Sequence, residues 1–157
     1  MNPTVEAVKE LSKERMRQLV MALEFVPRER LQWRMTECGK SPMEIYLECG
    51  GNLLMNAKIL RGEAVGSRKT PEAFLPEAKS FPDLQGARAM MQEYLQEFVS
   101  ALDNLDESRM GEKVELPWGQ TMTVREFIGR TASHACYYCG QLTYLQSLLG
   151  GGEARRV

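Results

Sequence analysis

Half of the histidine, cysteine and tyrosine side chains of this sequence crowd into one stretch, His134-Ala135-Cys136-Tyr137-Tyr138-Cys139-Gly140-Gln141-Leu142. It holds the one histidine of the chain, two of its four cysteines and two of its five tyrosines. His134 and Tyr138 are four residues apart, so on a helix they stack on one face. That spacing lets an imidazole and a phenol reach one point, and it also serves two metal ligands on a helix. A hydrogen-bonded histidine in a core gives the same pattern. Cys136-x-x-Cys139 raises two other chemistries. A structural zinc site needs a second close pair, and Cys38 and Cys49 are eleven residues apart in different segments. A dithiol redox site sits where a strand enters a helix. This pair falls inside a helical pattern, so two small thiols packed in or near a core are the simpler reading.

Four helical segments must position these residues. The first spans about Thr4 to Phe25, with Val5, Val8, Leu11, Met16, Leu19, Val20 and Leu23 at three- and four-residue steps. The second opens at Ser41-Pro42-Met43-Glu44, a capping box with proline at the first helical position, and ends near Arg61-Gly62. Gly50-Gly51 in its middle costs roughly 1–2 kcal/mol against alanine, which marks either a close backbone approach or a weak point. Residues 62–82, with three prolines and two glycines, form a long connection that has room for a short helical turn. The third helix spans about Asp83 to Leu105, its inner side carrying Met90, Met91, Tyr94, Leu95, Phe98 and Leu102. A short β-hairpin follows, turning at Pro117-Trp118-Gly119. Thr123 and Glu126 form a second capping box that starts the fourth helix, which runs to about Leu149 before Gly150-Gly151-Gly152. Its apolar stripe, Phe127, Ile128, Thr131, Ala135, Tyr138, Leu142, Leu145 and Leu149, carries Tyr138 within it and His134 at its edge. The expectation is an all-α protein: one four-helix-bundle domain over residues 1–157, with a hairpin before the last helix.

Composition narrows the function classes. The chain of 157 residues is 43% hydrophobic and 26% charged, a globular balance, and its formal net charge is −1. No global field draws it to nucleic acid or to an anionic membrane, and no basic stripe with interleaved aromatics is present. No apolar run approaches the ~18 residues of a membrane span. The charged N-terminal stretch is not a secretory signal, so the expected compartment is the cytoplasm, with reduced cysteines.

Two longer stretches carry a resemblance. LEFVPRERLQWRMTECGKSPMEIYLECGG is similar to the DinB-like pattern of a first helix, a Trp-containing link, GxSxxEI and a second helix. MTVREFIGRTASHACYYCGQLTYLQSLLG is similar to the last helix of that pattern, T…H-x-x-x-H-x-GQ…YL…LG. The chain thus resembles the DinB-like (damage-inducible, bacillithiol-transferase-like) superfamily of four-helix bundles over nearly its whole length. Members typically hold a divalent metal with three histidines. The resemblance places those positions on Glu48, His134 and Tyr138, so one histidine of three is kept. Gly140-Gln141 is kept, but the arginine usually found before it is Cys139. Glutamate and tyrosinate both ligate metals, yet a phenol titrates near pH ~10, so binding at neutral pH must expel its proton. A zinc or nickel ion would therefore be held weakly. The rival reading is a lost metal site rebuilt as a polar triad, with Glu48 bonded to His134 or Tyr138.

What the resemblance implies for function is a metal-assisted small-molecule transferase, of the thiol-transferase kind, or a hydrolase, with its pocket at Glu48, His134 and Tyr138. There the metal activates a thiol sulfur or polarises an oxygen. Without metal, Tyr138 could still donate a hydrogen bond to a thiolate. The alternative is a non-catalytic, metal-free, stress-related binding protein with a vestigial site. The partners expected are an unidentified small molecule and a second copy of the chain, with no nucleic acid and no membrane. The homodimer follows from the resemblance and from the third helix, where adjacent Met90 and Met91 spread the apolar surface beyond one seam, so that a second copy or, as the alternative, the 62–82 connection must cover part of it.

Overall fold

A computed structural model describes residues 2–65 and 83–149. Four helices are present: α1 (Pro3–Glu24), α2 (Pro42–Leu60), α3 (Leu84–Asp103) and α4 (Val124–Leu148). Between α3 and α4 lies the hairpin of β1 (Lys113–Glu115) and β2 (Thr121–Thr123), antiparallel with Val114 opposite Met122. Short 3₁₀ turns occupy Arg28–Arg30 and Glu107–Gly111. The bundle and its hairpin are those expected from the residues. The helical turn expected within 62–82 and the glycine stop at 150–152 fall on positions outside the described residues, apart from the start of the connection at 62–65.

Local signals explain the boundaries. Both capping boxes form: Ser41 Oγ accepts from Glu44 N at 3.2 Å while Glu44 Oε2 accepts from Ser41 N at 2.8 Å. Thr123 and Glu126 repeat the exchange at 3.2 and 2.8 Å. Each exchange satisfies two backbone or side-chain donors that a helix start would leave open. After α2 the chain turns at Gly62, whose φ of +74° suits a residue without Cβ.

Cross-helix contacts give the directions. Lys9 pairs with Asp103 at 2.5 Å, and Glu24 pairs with Arg88, so α1 and α3 are antiparallel. Asn52 meets Tyr138 and Asn56 meets Thr131, so α2 and α4 are antiparallel. Helices α2 and α3 instead run the same way: Gly50 lies against Met90, Met91 and Tyr94, and Arg61 pairs with Glu97 at 2.7 Å. Parallel neighbours cannot be joined by a tight turn, which accounts for the long connection after residue 61.

Gly50 is a close-approach position. A Cβ there would stand 3.2 Å from Met90 Cε, 3.3 Å from Tyr94 Cδ2 and 3.4 Å from Met91 Cε. Met90 and Met91 are both buried within the chain, as are Phe98 and Leu102. The wide apolar face of α3 is thus buried at these four residues and half-buried at Tyr94 and Leu95. On α1 the expected stripe is broken at Leu11, which is exposed, while Ser12 and the stem of Lys9 are buried. Lys9 keeps its charge satisfied there by bridging Glu6 and Asp103. No helix among the described residues is long and apolar enough to cross a membrane.

Candidate functional site

Helix α2 is almost wholly buried, yet it carries Glu48, Asn52 and Asn56 at successive four-residue steps. These three form a polar rail along one face. The facing rail on α4 is Phe127, Thr131, His134 and Tyr138, again at three- and four-residue steps. Because the helices are antiparallel, the rails match. Asn52 Nδ2 donates to Tyr138 Oη at 2.7 Å and to the Glu48 carbonyl at 2.9 Å. Asn56 Nδ2 donates to Thr131 Oγ1 at 3.0 Å, and that hydroxyl donates to the Phe127 carbonyl at 3.0 Å. Each amide thereby fixes an α4 side chain from the opposite helix.

Beside the rails opens a cavity of about 380 Å³. Glu48, His134 and Tyr138 all line it. Tyr138 is buried; Glu48 and His134 are half-buried. The His134 and Tyr137 rings are nearly coplanar in orientation, 9° apart with centroids at 5.7 Å, and the Tyr138 ring tilts against His134 at 4.9 Å. Asn52, Asn56, Lys40, Arg130 and Trp118 also contribute, and none of these is a position that the motif match marks. For the two asparagines a signal existed: polar residues at the fourth and eighth positions after Glu48 in an otherwise apolar helix. Lys40 and Trp118 come from the link and the hairpin, where no periodicity points.

The donor set does not suit a resident divalent metal. Lys40 Nζ forms an ion pair with Glu48 Oε2, so one matched ligand already faces a cation. The phenol oxygen of Tyr138 already accepts an N–H from Asn52. A metal would enter against a like charge; two unit charges 4 Å apart repel by roughly 1–4 kcal/mol between water and a protein surface. Among the described residues, no three His, Cys, Asp or Glu side chains converge on one point.

The thiols lie away from this chemistry. All four cysteines are free. Burial first, and neighbouring Cys136 second, push Cys139 up to about 11. Cys139 Sγ donates to the Arg15 carbonyl at 3.4 Å. Burial raises Cys49 well above the ordinary thiol value. Protonated thiols are poor nucleophiles, so neither suits a reactive sulfur. Cys136 is exposed, not packed inward as the helix pattern suggested.

The Asn52–Tyr138 bond should be energetically coupled. Asn52→Leu and Tyr138→Phe should each destabilise by roughly 1–2 kcal/mol, since each leaves a buried polar partner. The double variant should cost less than the sum. Denaturant unfolding of the four proteins checks this, and strict additivity would contradict it.

The family described as protein of unknown function (DUF1572) matches residues 2–157 of the chain. No curated protein matches the sequence. Among solved structures, a mycothiol-dependent maleylpyruvate isomerase is similar with a TM-score of 0.73 at 12% identity. That match covers 90% of this chain and 63% of the isomerase, so the chain spans under two thirds of that protein. A DinB-like protein, YjoA of Bacillus subtilis, is similar with a TM-score of 0.69 at 13% identity over 94% of both chains. The colibactin self-resistance protein ClbS, solved in complex with a dsDNA, gives 0.69 at 16% identity over 94% of this chain and 98% of its own. At these identities the likeness is one of fold.

Proposed function

Since the chain belongs to the family described as protein of unknown function DUF1572 and has the DinB-like fold, we propose that it is a small-molecule binding protein whose pocket is the α2–α4 cavity, held without a resident metal. The single observation that carries this is the pairing of Lys40 with Glu48 inside the cavity lining. The cation that a carboxylate in this position needs is supplied by the chain itself. A volume of about 380 Å³ lies within the ~300–1,000 Å³ range of small-molecule pockets. Aromatic rings line such pockets, and here Trp118, Phe127, Tyr137 and Tyr138 supply them within a lining that is more polar than usual. Asn52 and Asn56 lock the orientations of Tyr138 and Thr131, so the pocket is organised before a ligand arrives.

A second reading is a metal-assisted thiol transferase or hydrolase. It is favoured by one observation: Glu48, His134 and Tyr138, the positions matched to metal ligands, line the same cavity. In that reading a bound metal would activate a thiol or polarise an oxygen. Metal analysis of carefully purified protein, followed by zinc and nickel titration, separates the two. Binding no tighter than micromolar, unchanged by His134→Ala, supports the metal-free pocket. A nanomolar site lost in His134→Ala overturns it in favour of the second reading.

A further inference from the structure

The charges of the cavity do not balance. Its lining holds two cations, Lys40 and Arg130, against one carboxylate, Glu48. Glu48 is paired with Lys40. Arg130 makes no ion pair among the described residues. Its natural partner on the helix would be Glu126, four residues earlier. That carboxylate is committed to the capping box, where Oε2 accepts from Thr123 N and Thr123 Oγ1, both at 2.8 Å. Arg130 instead lies over the Trp118 ring, its guanidinium carbon 4.9 Å from the ring centroid. Trp118 is steadied from the hairpin side by a 3.3 Å bond from its Nε1 to Gln120 Oε1. A cation–π contact of this kind holds the guanidinium at the pocket rim while its N–H groups stay available to an oxyanion. A chain of net charge −1 has therefore placed an exposed cation without a carboxylate partner among the described residues at the rim of a pocket with aromatic residues in its lining.

We propose that the cavity takes a planar monocarboxylate, its carboxylate paired with the Arg130 guanidinium beside Trp118 and its flat body among Tyr137, His134 and Phe127. This rests on the reading of the cavity as a ligand pocket. The charge count selects one negative charge: a monoanion neutralises the lining, whereas a phosphate dianion leaves it negative beside Glu48. The walls select the body, since aromatic faces stack on flat, unsaturated groups. Arginine selects the head, because its fork matches a carboxylate in two parallel hydrogen bonds.

The test uses the full chain, labelled with ¹⁵N, and four small probes: benzoate, benzamide, benzamidinium and phenyl phosphate. Benzoate should shift the amide signals of cavity residues saturably, and bind at least tenfold more tightly than each of the other three. Arg130→Gln should weaken benzoate tenfold or more, while Arg130→Lys, which keeps the charge and loses the fork, should weaken it less. Arg130 is exposed, so both variants should fold. Benzamide binding as well as benzoate would overturn the carboxylate proposal and leave the pocket reading standing. Tighter binding of phenyl phosphate would overturn the single-charge argument. If no probe reached the cavity at millimolar concentration, the proposal and the pocket reading would both fail.

Discussion

Phe98→Ala should lower the free energy of unfolding by about 3–5 kcal/mol, the range for truncating a large buried aromatic. Phe98 has no exposed surface, and it sits on the inner side of α3. Truncation removes most of its apolar area from burial and leaves a void that a packed interior closes only in part. Domains are stable by only about 5–15 kcal/mol, so this one change removes at least about a fifth of the margin. The melting temperature should fall by roughly 6–20 °C for a chain of this size. Tyr144→Ala is the matched control: Tyr144 is 59% exposed on α4 and should change stability by less than about 0.5 kcal/mol. Thermal and denaturant unfolding of both variants decides the matter, and a Phe98→Ala loss under 1 kcal/mol would show that the α3 side of the bundle is not a packed core.

Lys40→Leu should raise zinc affinity about a hundredfold, or ~2.7 kcal/mol. The lysine ammonium sits at the Glu48 carboxylate, where its charge opposes an entering divalent ion and its N–H donors compete for the same oxygen. Its side chain is 42% exposed, so solvent screens much of that repulsion, and the gain is set well below the unscreened value. Leucine removes the charge without adding a ligand. The gain should vanish in the Lys40→Leu, His134→Ala double variant, because the freed carboxylate needs the imidazole to complete a site. Calorimetric titration of the three proteins checks both parts. An unchanged zinc affinity in Lys40→Leu would show that the lysine is not what keeps metal out.

The periodicities that define helices are local, and they were legible. Ser41, Glu44, Thr123 and Glu126 announce two helix starts, and both capping boxes form. The α4 stripe from Phe127 to Leu145 is buried as its spacing predicts. What the residues could not reveal is set by contacts between distant elements. Leu11 fits the apolar spacing of α1, yet it lies on the exposed side, and buried Ser12 and Lys9 take inner places because Asp103 of α3 is there to receive the lysine. Gly50-Gly51 left two readings open. The close packing of Met90, Met91 and Tyr94 on Gly50 decides for a backbone approach. Among the residues that line the cavity, motif position marks Glu48, His134 and Tyr138 but not Lys40, Trp118 or Arg130. Lys40 joins Glu48 from eight residues before it, across the start of a helix, and Trp118 reaches Arg130 from a hairpin turn. Neither pairing has a helical or strand period to reveal it.

The pairing of α1 with α4 also governs the order in which the bundle can assemble. The hydrogen bond from Cys139 to the Arg15 carbonyl joins residues 124 positions apart. As the chain leaves the ribosome, α1 and α2 emerge with part of their apolar faces uncovered, because the helix that lies along both is the last of the four to be made. Closure must wait for α4, and it must overcome the entropy of joining distant segments in one step. Until then the buried faces of Leu19, Tyr46 and Leu47 have no complete core to enter. A nascent chain stalled before residue 124 is therefore a client for chaperones and a target for proteases. The cavity, whose two rails come from α2 and α4, cannot form before the last of the four helices is in place.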